Sequence, residues 1–241
     1  MGLDDDTLLG LPDSLLLDHG GTLKRMRALI FDFDGTILDT ETPEFHTWEN
    51  IYHQWGQILP RELWLSAIGL APGEATFNPY THLEVLLGTT VDHAALREHR
   101  REVFLTALHA EPIRPGVVDW LELAGKRGLH IGLASSSPRD WVQSHLERLG
   151  LRAHFEAIYT SDDVVRAKPH PELYEKTAAH FGLHPRECIA IEDSHHGVLA
   201  AKAAGCYCIA VPNPMTATMD LSAADQTVAS LAELSLETLL G

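Results

Sequence analysis

No apolar run in this chain approaches the ~20 residues needed to cross a bilayer, so no membrane-spanning helix is expected. Basic residues are scarce: 18 Lys and Arg stand against 34 Asp and Glu, a formal net charge of −16. That balance argues against nucleic acid and anionic membrane surfaces as partners, since both attract positive charge. The N-terminus lacks a basic region followed by an apolar segment, which argues against a secretory signal. Cysteine is rare. Cys188, Cys206 and Cys208 are odd in number and lie in strand-like apolar stretches. Buried reduced thiols are expected there rather than a disulfide or a metal site. These features together predict a cytoplasmic protein. What is present is 241 residues, 45% of them hydrophobic, enough for one α/β domain and a smaller second one.

The most informative stretch is Asp32-Phe33-Asp34-Gly35-Thr36, directly behind Ala28-Leu29-Ile30-Phe31. The short apolar run reads as a buried strand. In open α/β sheets, ligands bind just beyond the carboxyl ends of strands. Gly35 lets the backbone turn tightly and approach a ligand. Two carboxylates at a sheet edge repel each other unless a cation joins them, and Mg²⁺ suits an all-oxygen site. The bland reading of the same residues is a solvated turn after a strand.

Three further signals follow in order. Leu129 to Ala134 is a second apolar run, ending in Ser135-Ser136-Ser137-Pro138. Arg166-Ala167-Lys168-Pro169 places a lysine in a loop before a helix. Cys188-Ile189-Ala190-Ile191 is another strand, ending in Glu192-Asp193-Ser194. Singly, each is weak: serines cap helices, and lysines are usually solvated. Together they resemble the motifs of the haloacid dehalogenase superfamily, in particular its β-phosphoglucomutase-like phosphatases with a helical cap. The resemblance runs from about Met26 to the C-terminus.

The pattern between the motifs gives the organisation. Residues 1–25 show no clear period and no functional motif, and they are expected to be a disordered extension. After Thr40 the apolar residues recur at helical spacing. Phe45, Trp48, Tyr52 and Trp55 mark one helix; Leu63, Trp64 and Ile68 a second; Tyr80, Leu83, Leu86 and Leu87 a third. Asp92 can cap a fourth, with Leu96, Val103, Phe104, Ala107 and Leu108 on its apolar face. Residues 41–112 therefore read as an all-α insertion, the cap implied by the resemblance. Residues 26–40 and 113–241 read as the α/β core. Its alternation of helix and strand predicts a Rossmann-like, doubly wound parallel sheet.

The resemblance implies site roles. Asp32 is the nucleophile, ionised at neutral pH if near the usual ~3.9. Asp34 is the general acid and then the base. Mg²⁺ is held by Asp32, the Asp34 backbone carbonyl and Asp193, with Glu192 a direct or water-mediated ligand. Ser135 and Ser136 hold phosphoryl oxygens, Ser136 through its backbone N–H, and Lys168 neutralises charge. Ser194 is expected to cap the helix behind it. His195 and His196 are expected to be solvated or capping rather than metal ligands. Trp64, Asn78, Tyr80 and His82 are candidate substrate contacts.

The expected activity is Mg²⁺-dependent hydrolysis of a small phosphorylated metabolite, a sugar phosphate foremost, by a monomer or weak dimer. True dehalogenases lack the second Asp, so Asp34 favours phosphoester chemistry. The in-class alternative is a phosphosugar mutase. Such mutases carry a His twelve residues after the nucleophile, where this chain has Glu44, and a cap arginine that Ile68 to Glu74 lacks. An idle regulatory protein on the same fold is the alternative of another class.

Overall fold

The computed structural model describes residues 15–17, 23–71 and 73–240, with side chains from residue 26 onward. Leu15–Leu17 (β1) and Leu23–Arg25 (β2) pair antiparallel, Leu16 opposite Lys24. Six residues of the extension expected to be disordered thus lie in strands. Two extended segments satisfy each other's backbone groups. The rest of 1–25 lies outside the described residues.

Ala28–Phe31 (β3) is fully buried along its length. A strand covered on both faces needs such a continuous apolar run. The strand's two faces divide the core. Leu29 and Phe31 join one apolar cluster, and Ala28 and Ile30 the other.

Four helices follow β3: Glu41–Gln54 (α1), Arg61–Leu65 (α2), Pro79–Leu87 (α3) and His93–Ala110 (α4). Asn78 caps α3 and Asp92 caps α4 through side-chain oxygens. Phe45, Trp48, Ile51, Tyr52, Trp64 and Leu83 form a separate small core. Two details differ from the sequence reading. Trp55 follows the last turn of α1 and is exposed. On α4, Phe104 and Leu108 are buried against the sheet's own core, while Val103 is exposed. Helix α4 thus packs on both bodies, which a single helical stripe does not reveal.

The chain then alternates: Val117–Lys126 (α5), His130–Ala134 (β4), Arg139–Arg148 (α6), Ala157–Tyr159 (β5), Glu172–His180 (α7), Cys188–Glu192 (β6), His195–Ala204 (α8), Tyr207–Ala210 (β7), Gln226–Thr227 (β8) and Leu236–Leu240 (α9). The six strands β3 to β8 form one parallel sheet in the order β5-β4-β3-β6-β7-β8. Helices α5 and α6 cover one face and α7 and α8 the other, the expected doubly wound arrangement. Phe31 lies level with Leu133 and Ile191, so the carboxyl ends of β3, β4 and β6 come together. The three cysteines are buried and unpaired. No helix among the described residues is long and apolar enough to cross a membrane.

Candidate active site

Register delivers the first acid. The Asp32 N–H continues the ladder by donating to Ile191 O at 2.9 Å. The chain then turns at Gly35, whose φ is +78°. A Cβ there would collide with the Asp193 carboxylate and the Asn213 amide. Only glycine allows both the conformation and this approach. Asp32 and Asp193 therefore face each other across the ends of two neighbouring strands.

Ligand atoms of Asp32, Glu192 and Asp193 lie within 4.8 Å of one another, and all three residues are buried. Lys168 enters from the loop before α7. Its Nζ lies 2.5 Å from Asp32 Oδ1 and 2.6 Å from Glu192 Oε1. One ammonium does not balance three carboxylates. Burial pushes the Asp32 carboxyl up to about 7; Lys168 pulls it down, while Glu192 and Asp34 add to the rise. Asp193 is raised well above the carboxylate range by burial, Asp32 and Glu192, with Arg114 opposing. Burial alone would lower the Lys168 pKa, yet Asp32 and Glu192 raise it on balance. Such an excess of buried negative oxygen fits a hard divalent cation.

The three carboxylates differ in what occupies them. Asp193 accepts from Asn213 Nδ2 at 2.8 Å and more weakly from Thr36 Oγ1 at 3.4 Å. Glu192 is more fully engaged. Besides Lys168, its oxygens accept from Tyr174 OH at 2.5 Å, the Asp193 N–H at 3.2 Å and Ser194 Oγ at 3.4 Å. It also packs against Gly197, where no Cβ would fit. This geometry suits holding Lys168 better than direct metal binding, one of the two roles, direct or water-mediated ligand, expected for Glu192 from sequence.

Asp34 has its own cradle. Ser137 Oγ donates to Asp34 Oδ2 at 2.6 Å, and Trp141 Nε1 donates to Oδ1 at 2.8 Å. Ser135 Oγ lies at the 3.5 Å limit from Oδ2 and accepts the Ser137 N–H at 3.0 Å. The Ser136 hydroxyl instead donates to Gly69 O at 3.0 Å, in the helical insertion. Ser194 caps α8 by accepting from the Gly197 N–H, as expected. His195 and His196 bond backbone carbonyls of Asp220 and Ile68, and neither belongs to the acidic group.

Sequence reasoning missed Ser137, Trp141, Tyr174, Asn213 and Arg114. Asn213 follows the end of β7, so the strand-end rule that found Asp32 and Asp193 also reaches it. Arg114 donates to the carbonyls of Gly35, Val211 and Pro212, tying the Asp32 loop to the Asn213 loop. An arginine bound only to backbone carbonyls leaves no motif.

Above these groups lies a cavity of about 710 Å³, bounded by the insertion. Asp32, Asp34, Ser135 and Asp193 line its base. Trp48, Trp64, Tyr80 and Phe104 supply aromatic surface, and Glu44, Arg97, Arg100 and Arg101 supply charge. Glu44 pairs with Arg100 at 2.8 Å. Of the four candidate contacts, Trp64 and Tyr80 line this cavity. Asn78 is occupied as a helix cap, and His82 bonds Tyr52 OH at 3.0 Å.

Residues 29–211 match the haloacid dehalogenase-like hydrolases. "Putative phosphatase YhcW" of Bacillus subtilis (strain 168) is 46% identical over 89% of this chain and 96% of its own. Hexitol phosphatase B of Escherichia coli (strain K12) is 31% identical over 91% of this chain and 99% of its own. The crystal structure of β-phosphoglucomutase from Clostridium difficile shares the fold with a TM-score of 0.68. It covers 89% of this chain and 95% of its own at 24% identity. A match that spans both the first and last of the motif strands leaves no doubt of kinship: this chain belongs to the haloacid dehalogenase-like hydrolases.

Proposed function

We propose that the protein is a cytoplasmic, Mg²⁺-dependent phosphatase that hydrolyses a small phosphorylated metabolite through an aspartyl-phosphate on Asp32. The observation that carries this reading is the placement of Asp32. It lies at the base of the cavity, 2.5 Å from the Lys168 ammonium, among buried carboxylates. Asp34 is two residues further on and lines the same space.

A carboxylate oxygen of Asp32 attacks phosphorus. The new O–P bond forms as the ester P–O bond breaks, and Asp34 gives its proton to the departing oxygen. Asp34, now ionised, takes a proton from water. That water oxygen attacks the phosphorus of the aspartyl-phosphate, releasing phosphate and restoring Asp32. Lys168 offsets the charge that Asp32 and the phosphoryl group bring together, and Ser135 offers a hydrogen bond to a phosphoryl oxygen. Asp32 and Asp193, with the Asp34 backbone carbonyl, would hold Mg²⁺, which supplies charge neutralisation when bound. Glu192 completes the buried acidic group by fixing Lys168.

Residues 41–112 act as the cap that selects substrate, since Glu44, Trp48, Trp64, Tyr80 and Arg100 line the same cavity as Asp32. The name hexitol phosphatase B, borne by a relative, favours a sugar or polyol phosphate. Against the mutase reading, the position expected to hold a mutase His is Glu44, which pairs with Arg100; the cap arginines Arg97 and Arg101 on the cavity are the one feature that favours it.

The test is phosphate release from a panel of phosphorylated sugars and polyols by wild type and Asp32→Asn, with circular dichroism on both. Wild type should lose activity in excess chelator and regain it with Mg²⁺. The folded variant should be inactive. Near-wild-type release by Asp32→Asn would overturn the assignment.

A further inference from the structure

The reading above gives Asp34 a proton to deliver, and the structure shows what orients that carboxyl group. Trp141 stands in the first turn of α6, and its Nε1 donates to Asp34 Oδ1 at 2.8 Å. Ser137 Oγ donates to the other oxygen at 2.6 Å. These two donors differ in kind. An indole N–H can only donate, whereas a hydroxyl can donate or accept. Trp141 therefore holds Oδ1 from one fixed direction while the Ser137 hydroxyl holds Oδ2, and the two together set the plane of the carboxyl group.

Trp141 is itself held from the insertion. Its ring stacks on Phe104 of α4, with centroids 5.9 Å apart and planes inclined by 15°. His145 also packs edge-on to Trp141, with ring centroids 4.1 Å apart. Phe104 is buried, and its helix also carries Arg97, Arg100 and Arg101, which line the cavity. One ring contact thus joins the element that surrounds the substrate to the group that transfers the proton.

We propose that Trp141 is a positioning residue that aims the Asp34 carboxyl group for proton transfer, and that Phe104 makes this aim depend on the seating of α4. This rests on Asp34 acting as acid and base. A bland alternative is that the Phe104–Trp141 stack merely glues α4 to the core.

Leaving groups separate the two. An alkyl phosphate releases a strongly basic alkoxide and needs the acid. 4-Nitrophenyl phosphate releases a stable phenolate and scarcely needs it. kcat/KM covers events up to the first irreversible step, here cleavage of the ester bond. A general acid is typically worth ~10²–10⁴-fold, so loss of its aim should cost ~10-fold or more with an alkyl ester.

The experiment compares kcat/KM for a hexitol phosphate and 4-nitrophenyl phosphate in wild type, Trp141→Phe, Phe104→Leu and Asp34→Asn. Folding is checked by circular dichroism and melting temperature. Trp141→Phe keeps an aromatic ring for Phe104 and removes only the donor. It should lose far more on the alkyl ester than on the aryl ester. Phe104→Leu keeps the donor and should shift the ratio the same way by a smaller factor. Equal losses on both esters in folded Trp141→Phe would overturn the proposal, as would a gain on the alkyl ester. Asp34→Asn distinguishes the levels. If it too affects both esters alike, the acid role of Asp34 is wrong. If it is selective and Trp141→Phe is not, only the positioning role falls.

Discussion

Lys168 Nζ and Glu192 Oε1 form an ion pair at 2.6 Å in which neither side chain is more than 2% exposed. Glu192 also accepts from Tyr174 OH, the Asp193 N–H and Ser194 Oγ, so losing its charge loosens several buried partners at once. The same lysine touches Asp32, so Glu192 governs where the site's ammonium stands. Glu192→Gln should reduce kcat and thermal stability while leaving the Mg²⁺ concentration for half-maximal activity nearly unchanged. Asp193→Asn should raise that concentration strongly, because Asp193 spends fewer of its lone pairs on the protein. A Mg²⁺ titration of both variants decides the matter. A comparable rise in the two would make Glu192 a metal ligand.

The strands that carry Asp32, Asp193 and the serine run were legible because a buried parallel strand has one appearance, a short apolar run with a polar end. The register that aligns those ends was not legible, since parallel pairing between distant segments leaves no local trace. The helices of the insertion were legible as helices. Their burial was not. Val103 and Leu108 both looked like core, yet α4 turns Leu108 inward and leaves Val103 exposed. The partners of Asp34 escaped for a related reason. Trp141 sits at a helix start where a tryptophan has no motif value, and only the fold brings its N–H to a residue 107 positions away.

Gly35 offers a stringent test of how the site is assembled. Its positive φ costs a non-glycine residue about 1–2 kcal/mol, and a methyl group there would press on Asp193. Gly35→Ala should therefore be doubly affected. The melting temperature should fall, at roughly 2–4 °C per kcal/mol for a chain of this size. The Mg²⁺ requirement should rise as Asp193 is displaced. Calorimetry with and without Mg²⁺ measures both. A variant with wild-type melting and wild-type Mg²⁺ dependence would refute the close approach of the two loops.

His145 links stability to pH. It is buried between Phe33 and Trp141, and its Nδ1 accepts a hydrogen bond from Arg148 Nε at 3.4 Å. Burial lowers its pKa below the usual 6.5; Arg148 and His109 reinforce this and Asp34 opposes it. Below that pH the unfolded chain takes up a proton that the folded chain refuses. Stability from this residue is thus complete above about pH 6.5 and declines as the pH falls. Asn in place of His145 keeps an acceptor but does not titrate. Urea unfolding between pH 7.5 and pH 5 should show wild type losing stability faster than His145→Asn. Parallel curves would mean that His145 takes up its proton equally well in the fold.

Arg100 tests the role of the insertion in choosing a substrate. Its guanidinium pairs with Glu44 at 2.8 Å and lies 5.6 Å from the Trp48 ring centroid and 5.9 Å from that of Phe104. Its Nε is buried without a hydrogen-bond partner, as are Trp64 Nε1 and Tyr80 OH. Unpaired buried donors beside a cavity are costly unless something completes them. A polyhydroxylated substrate with many acceptor oxygens would do so once the cap settles on it. Arg100→Met keeps the stem and removes the donors, but it also leaves Glu44 without its partner close to Asp34 and the incoming phosphate. That second effect should depress every substrate. Adding Glu44→Gln removes it, so the double variant should recover activity on 4-nitrophenyl phosphate. It should still show a raised KM for a hexitol phosphate, because remote contacts there would remain lost. kcat and KM for both substrates in the two single variants and the double variant give the answer. Full recovery on the hexitol phosphate would show that Arg100 serves only to neutralise Glu44 and makes no contact with the substrate.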